Sequence, residues 1–272
     1  MVASSGTTKV VILARGLGTR MRANHGEQGL LPEQALAADT GLKAMIPVGR
    51  PFLDFLISAV ADAGFSDVCI VIGPEHSQVR ERFTHEVKPT RVRVHFAVQE
   101  RALGTADAVL AAEEFAAGDP FVVINSDNYY PVDVLARLRP VSDAAIVGFE
   151  REALVTLSGF PPERAGRFGA LEIDDHGLLR RILVTPTPAM TGGEIYASMN
   201  CWLFTREIFA ACRAVPLSPR GEFELPRAVH LAIDSGQMKV RVIKVRAAVL
   251  DMSNRADIAA VAARLSGVEV RL

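Results

Sequence analysis

The sequence predicts an α/β fold: a mostly parallel sheet flanked by helices, joined to a second half richer in strands. Three observations carry that expectation. Short apolar runs alternate with segments of helical spacing through the first half of the chain. The first such run, Val10-Val11-Ile12-Leu13, ends in a loop containing Gly16 and Gly18. From Ala144 onward, strand-like runs outnumber helical ones.

Each element follows from its residues. Val10–Leu13 has the length and β-branched content of a buried strand. Phe52, Phe55, Leu56, Ala59, Val60 and Ala63 recur at helical spacing, and Gly64 is a sensible stop. Asp67–Gly73 reads as a buried strand, HSQVRERF as a short helix and Arg91–Gln99 as an alternating strand. GTADAVLAAEEFA reads as one helix opening at Gly104 and Thr105, and Pro120–Asp127 as another buried strand. In the second half AAIVGFE, RFGALEID, LLRRILV, SMNCWLF, KVRVIKV and AAVLDM read as strands. Helices are expected around Arg206–Arg213, Phe223–Ser235 and Asp257–Leu265. Ala23–Gly41 reads as a long loop carrying a short helix, and such loops tend to serve function. No linker or repeat divides the chain, so one continuous domain over residues 1–272 is expected.

Composition narrows the function. With 272 residues and 49% hydrophobic content, the chain has the means to bury a substantial core. A formal net charge of -1 argues against a broad footprint for nucleic acid or an acidic membrane. The three cysteines, Cys69, Cys201 and Cys212, have neither zinc-ligand spacing nor a disulfide framework, and fit a reducing compartment. No apolar stretch approaches the roughly 20 residues of a membrane helix, and the start lacks a signal-peptide core. The expectation is a soluble cytoplasmic protein; whether it forms a homo-oligomer stays open.

The glycine loop is the first candidate site. Its backbone can approach a ligand closely, and Arg15, Arg20 and Arg22 would suit phosphate oxygens. A plain turn with solvated arginines is the alternative. In parallel α/β sheets ligands gather beyond the carboxyl ends of the strands, where this loop and Asp127 would both lie. A dinucleotide fingerprint would need glycine in place of Met21, and a P-loop would need Gly-Lys-Ser/Thr.

Taken together, the motifs resemble the sugar-1-phosphate nucleotidylyltransferases of the glucose-1-phosphate uridylyl- and thymidylyltransferase kind. The family signature L-A-A-G-x-G-T-R stands here as Leu13-Ala14-Arg15-Gly16-Leu17-Gly18-Thr19-Arg20. Its downstream P-K-x-x-x-P-V stands as Leu42-Lys43-Ala44-Met45-Ile46-Pro47-Val48. The order continues through Gln99…Gly104-Thr105, Asn125-Ser126-Asp127, Phe168-Gly169-Ala170-Leu171-Glu172 and Leu250-Asp251, covering nearly the whole chain.

The resemblance implies a Rossmann-like nucleotidyltransferase domain, with residues 1–130 forming a nucleotide-binding half and 131–272 a β-rich sugar-binding half. It implies attack of a sugar-1-phosphate oxygen on the α-phosphorus of a nucleoside triphosphate, with pyrophosphate leaving. Leu13, Ala14, Gly16, Gly18 and Thr19 would bind the nucleotide, the backbone of Gly16–Thr19 and the Arg20 side chain holding the triphosphate with Arg20 on the departing pyrophosphate. Lys43 would lie against the α-phosphate. Asp127 and Asp251 would bind Mg²⁺, an ion that takes a few carboxylates together with phosphate oxygens and water. Gln99, whose amide both donates and accepts, would read uracil or thymine beside Gly104 and Thr105. Gly169, Glu172 and Asn200 would face the sugar, while Glu222 and Glu224 read equally as first-turn acids of a helix.

The chain departs from the pattern in several places. Arg15 replaces a small residue, Leu42 a proline, and Ser253 a glycine. The separation between Arg20 and Lys43 is longer than in relatives. Val184-Thr185-Pro186 lacks the lysine that normally grips the sugar phosphate, for which Arg180 or Arg181 is the candidate substitute. Two rival readings stay open: a metal-dependent glycosyltransferase, and a non-catalytic binder of nucleotide sugars.

Overall fold

The computed structural model describes residues 6–23, 30–183 and 194–272. Its strands are β1 (Lys9–Leu13), β2 (Asp67–Ile72), β3 (Arg93–Val98), β4 (Phe121–Asn125), β5 (Asn128–Tyr129), β6 (Ala145–Glu150), β7 (Ala170–Ile173), β8 (Leu179–Leu183), β9 (Tyr196–Phe204), β10 (Arg241–Val245) and β11 (Leu250–Asp251). Nine of them form one sheet, whose main path runs β10-β6-β9-β4-β1-β2-β3, with β7 pairing β8 and β9 at its side. The strands β4, β1, β2 and β3 are mutually parallel, as are β6 and β10. Between the two groups, β9 runs antiparallel to both β4 and β6.

Alternation along β1 divides the core between the two faces of the sheet. Val10 and Ile12 pack on one side with Phe52, Phe55 and Ile258. Val11 and Leu13 pack on the other with Val109, Trp202, Phe209 and Val229. Helices therefore cover both faces, as expected of a parallel sheet whose strands are apolar throughout. The helix Phe52–Asp62 forms where the spacing predicts it, and the turn beyond it uses Gly64 at φ 90°.

Two expectations change, in the helix after Gly104 and in the strand AAVLDM, while the short helix expected within Ala23–Gly41 is present. The helix after Gly104 is two pieces, Thr105–Ala111 and Glu113–Ala116, separated at Ala112. AAVLDM shrinks to β11, which leaves the main sheet and pairs antiparallel with β5, setting Leu250 opposite Tyr129 and Asp251 opposite Asn128. The loop expected over Ala23–Gly41 holds a helix at Pro32–Thr40, stopped by Gly41 in the left-handed region at φ 75°; residues 24–29 of it lie outside the described residues. No helix among the described residues is long and apolar enough to cross a membrane.

Candidate active site

At the carboxyl ends of β1, β3 and β4 a cavity of about 310 Å³ opens, bordered by the loop Leu13–Arg20, by Lys43, by Gln99, Gly104 and Thr105, and by Asn125–Asp127. Leu13, Ala14, Gly16, Gly18, Thr19, Arg20, Lys43, Gln99, Gly104, Thr105 and Asp127, expected from separate motifs, thus share one wall-to-wall site. Asn125 and Ser126, from the motif that ends in Asp127, also border it, as do Ala102 and Gly41, which no motif singled out.

Close backbone contact brings the glycine loop and Lys43 together. Gly18 adopts φ 60°, and a Cβ on it would fall 2.6 Å from the Cα of Gly41. That approach is open only to glycine, and it delivers Lys43 two residues later on a single 3-10 turn. Arg20 sits exposed at the cavity mouth on the short helix Thr19–Ala23, which buries Met21 beneath it. Arg255, itself buried, donates from Nε to the Met21 carbonyl at 2.9 Å and pairs with Asp39, tying this helix and Pro32–Thr40 to the C-terminal helix.

Lys43 Nζ lies 2.9 Å from Asp127 Oδ2, so the cation and carboxylate are partnered across the cleft floor. Asp251 is adjacent to this segment through its pairing with Asn128, but it is buried and does not line the cavity. Its carboxylate accepts from Arg164 Nη2 at 2.8 Å and from Ser253 Oγ at 2.9 Å. Ser253, a departure at sequence level, therefore holds the carboxylate that it follows. Burial pushes the Asp251 acid up, and the negative charge of Asp127 adds to this, against the lowering effect of Arg164. The Met252 N–H also donates to the Asp127 carbonyl at 2.9 Å, so the two aspartates stand on adjoining backbone, and carboxylates are the donors a hard divalent cation takes together with phosphate and water. Among the described residues there is no group of three or more His, Cys, Asp or Glu placed to hold a metal unaided.

The opposite wall is built around Gln99, which is 4% exposed. Its Nε2 donates to the Gly104 carbonyl at 3.0 Å and to Asp107 Oδ2 at 2.7 Å. Both partners only accept, so they fix the amide orientation. Oε1 is thereby the atom left for a ligand, which corrects the expectation that this amide donates and accepts at once. Gly104 adopts φ 109° and ψ 179°. It packs on Phe223, whose N–H donates to the Leu103 carbonyl at 2.7 Å and whose carbonyl accepts from Ala106 at 2.8 Å. Glu222, next to Phe223, borders the cleft. Glu224 stands just before the helix Leu225–Asp234 without a side-chain capping bond, and the Leu225 N–H donates instead to Thr105 Oγ1 at 2.9 Å.

The sugar-side expectations are not brought to this cleft. Glu172, Arg180 and Arg181 border a separate cavity of about 670 Å³, because the β7–β8 hairpin turns them toward the end of the helix Leu225–Asp234. Gly169 packs its backbone against Ile182 at the start of β7 and accepts from Ser198. Asn200 occupies a bulge of β9 at φ 57°, a conformation that asparagine tolerates best after glycine. The buried Tyr130 hydroxyl donates to the neighbouring Met199 carbonyl at 2.5 Å and fixes that bulge. Val184-Thr185-Pro186 lies outside the described residues. Arg164 and Tyr130, both absent from the motifs, become visible only through these contacts, and Asp107, which stands in the Gly104-Thr105-Ala106-Asp107 run, gains its role as the partner of Gln99 only here.

The nucleotidyl transferase family model matches residues 9–265. The chain belongs to the nucleotidyl transferase family. Nucleotidyl transferases of this kind generally use a divalent metal. Among curated proteins, it is 29% identical over 229 residues to a glucose-1-phosphate thymidylyltransferase of Streptomyces antibioticus, covering 84% of this chain and 58% of that protein. It is 28% identical to the UTP–glucose-1-phosphate uridylyltransferase AglF of Haloferax volcanii, covering 84% of this chain and 85% of that protein. The chain thus spans little more than half the length of the Streptomyces relatives, 58% in both cases. Among solved structures, a UDP-glucose pyrophosphorylase complexed with UDP-glucose superposes with a TM-score of 0.72 at 15% identity, covering 97% of this chain and 100% of that one. That likeness shows the nucleotidyl transferase fold, a mostly parallel Rossmann-like sheet.

Proposed function

We propose that this chain transfers a nucleoside monophosphate from UTP or dTTP to a sugar-1-phosphate, releasing pyrophosphate and forming a nucleotide sugar. One observation carries the reading: the glycine loop, Arg20, Lys43 and Asp127 border a single cavity, with Gln99 on its far wall. Joining two anionic phosphates is mainly a matter of positioning and of offsetting charge, and these residue types do both.

In this reading the backbone of Gly16–Thr19 cradles the triphosphate and Arg20 meets the departing pyrophosphate. Lys43 leaves Asp127 for the α-phosphate as substrate arrives, because a compact cation follows the greater negative charge. Asp127 and Asp251 would hold Mg²⁺, which would supply Lewis-acid stabilisation of the charge on the reacting phosphates. Gln99 Oε1 accepts the imino N–H of uracil or thymine beside Gly104 and Thr105. Glu222 is the acid best placed to meet the sugar. Residues 1–130 supply the nucleotide side and 131–272 the acceptor side of one domain over 1–272. Three buried, unpaired thiols support a reducing cytoplasmic setting.

A panel crossing the nucleoside triphosphates with several sugar-1-phosphates, followed by pyrophosphate release, tests the reading. Pyrophosphate in step with a new uridylyl or thymidylyl sugar supports it. Sugar transfer from a nucleotide sugar without pyrophosphate would assign a glycosyltransferase. Nucleotide binding with no turnover across the panel would assign a non-catalytic binder.

A further inference from the structure

Arg15 stands where the family pattern has a small residue, and its surroundings show where its charge goes. Only 9% of the residue is exposed. Its Nε donates to the Gln99 carbonyl at 3.2 Å, and its Nη1 lies 2.7 Å from Glu75 Oε1. One planar guanidinium therefore ties together the loops that follow β1, β2 and β3. Its charge is partnered by Glu75, and the residue itself stands at the border of the cavity.

The neighbouring glycine is shaped to match. A Cβ on Gly73 would lie 2.5 Å from Arg15 Nε and 2.7 Å from its Cδ. Gly73 is not among the glycines at positive φ, so its lack of a side chain serves space and not backbone conformation. Arg15, Gly73 and Glu75 form a complementary set, in which the large residue is accommodated and neutralised.

We propose that Arg15 is a positioning residue for nucleobase recognition, acting through Gln99; the inference rests on the nucleotidylyl-transfer reading above. Gln99 is held at its backbone N–H by the Ile72 carbonyl and at its side chain by Gly104 and Asp107. Its backbone carbonyl, one residue beyond β3, is held by Arg15. Removing that hold lets the strand end shift, and Oε1 moves with it away from the base. Because hydrogen bonds weaken steeply with geometry, a small shift is enough to blur the distinction between a base that donates and one that accepts.

UTP and CTP are the discriminating probes. Uracil offers N3–H to Oε1, whereas cytosine N3 presents only a lone pair there. Titration calorimetry on the full chain should show UTP binding more tightly than CTP. In R15A the UTP affinity should fall about tenfold, in line with the loss of one well-placed hydrogen bond, while CTP changes far less, so the ratio moves toward one. Should R15A fail to fold, G73A displaces the guanidinium without removing it and should shift the ratio the same way. Equal weakening of both nucleotides, or an unchanged ratio in a folded variant, overturns the assignment. A parent protein that binds neither UTP nor dTTP overturns the nucleotidylyl-transfer reading, and this inference with it.

Discussion

Replacing Gly104 with alanine probes the link between fold and site at one atom. At φ 109° and ψ 179° this residue occupies a region reserved for glycine, where a side chain costs about 1–3 kcal/mol. The new Cβ would also fall 2.6 Å from the Phe223 carbonyl oxygen and 2.8 Å from its nitrogen. Both atoms are committed to hydrogen bonds with Ala106 and Leu103, so the Phe223 backbone cannot give way freely. Overpacking of this kind adds about 1–3 kcal/mol, and partial relaxation brings the combined destabilisation to about 2–4 kcal/mol. For a chain of this size that lowers the melting temperature by about 5–15 °C. Since Gln99 donates to the Gly104 carbonyl and both border the cleft, UTP affinity should fall in the same variant. Differential scanning calorimetry and UTP titration read the two effects. A melting temperature and a UTP affinity both unchanged in Gly104→Ala would refute the argument that this backbone contact needs glycine.

Asp127→Asn removes the anion facing Lys43 and one carboxylate of the candidate metal pair, so metal-dependent pyrophosphate release should fall by about 10²–10³-fold, with the circular dichroism spectrum preserved; activity near the parent level would remove the metal assignment. Gln99→Glu sets a carboxylate against Asp107 and takes the donor from Gly104, and should weaken UTP and dTTP more than purine triphosphates in a nucleotide-binding panel. An unchanged preference would contradict base reading by this side chain. Burial lowers the pKa of His230, whose Nε2 accepts from the Ile182 N–H at 2.8 Å. The unfolded chain then takes up this proton first, so stability is full above about pH 7 and declines below about pH 6.5, by at most about 1.4 kcal/mol per pH unit. Urea midpoints at several pH values should show a slope that His230→Gln reduces, and a slope that persists there would place its origin elsewhere.

The strands of the parallel core were legible because their side chains face apolar neighbours on both sides, which leaves near-continuous runs such as Val10–Leu13 and Phe121–Ile124. The side of the cleft proposed for the nucleotide was legible because the features that mark it are local: glycines at a close approach and Arg20 two residues beyond Gly18. The bend at Ala112 left no mark in an alanine-rich run with high helix propensity throughout. β11 was overestimated because Ala247–Met252 has the apolar character of a strand, yet only two residues find a partner in β5. The acceptor side was harder still. Which face Glu172 presents depends on the β7–β8 register, shifted by a bulge, and such a slip is invisible to alternation alone. Arg164 reaches Asp251 across 87 positions of sequence, a distance at which no spacing rule operates.

The antiparallel strand β9 has a consequence for motion. Leu203 pairs with Val122 on one side and with Ala145 on the other, so the two parallel groups are consecutive rungs of one ladder. A hinge between them would have to break that ladder, which rules out the clamshell closure open to enzymes whose halves meet at a linker. In the proposed transfer, any tightening around the substrates falls to the rim, where Arg20 and Leu17 stand exposed.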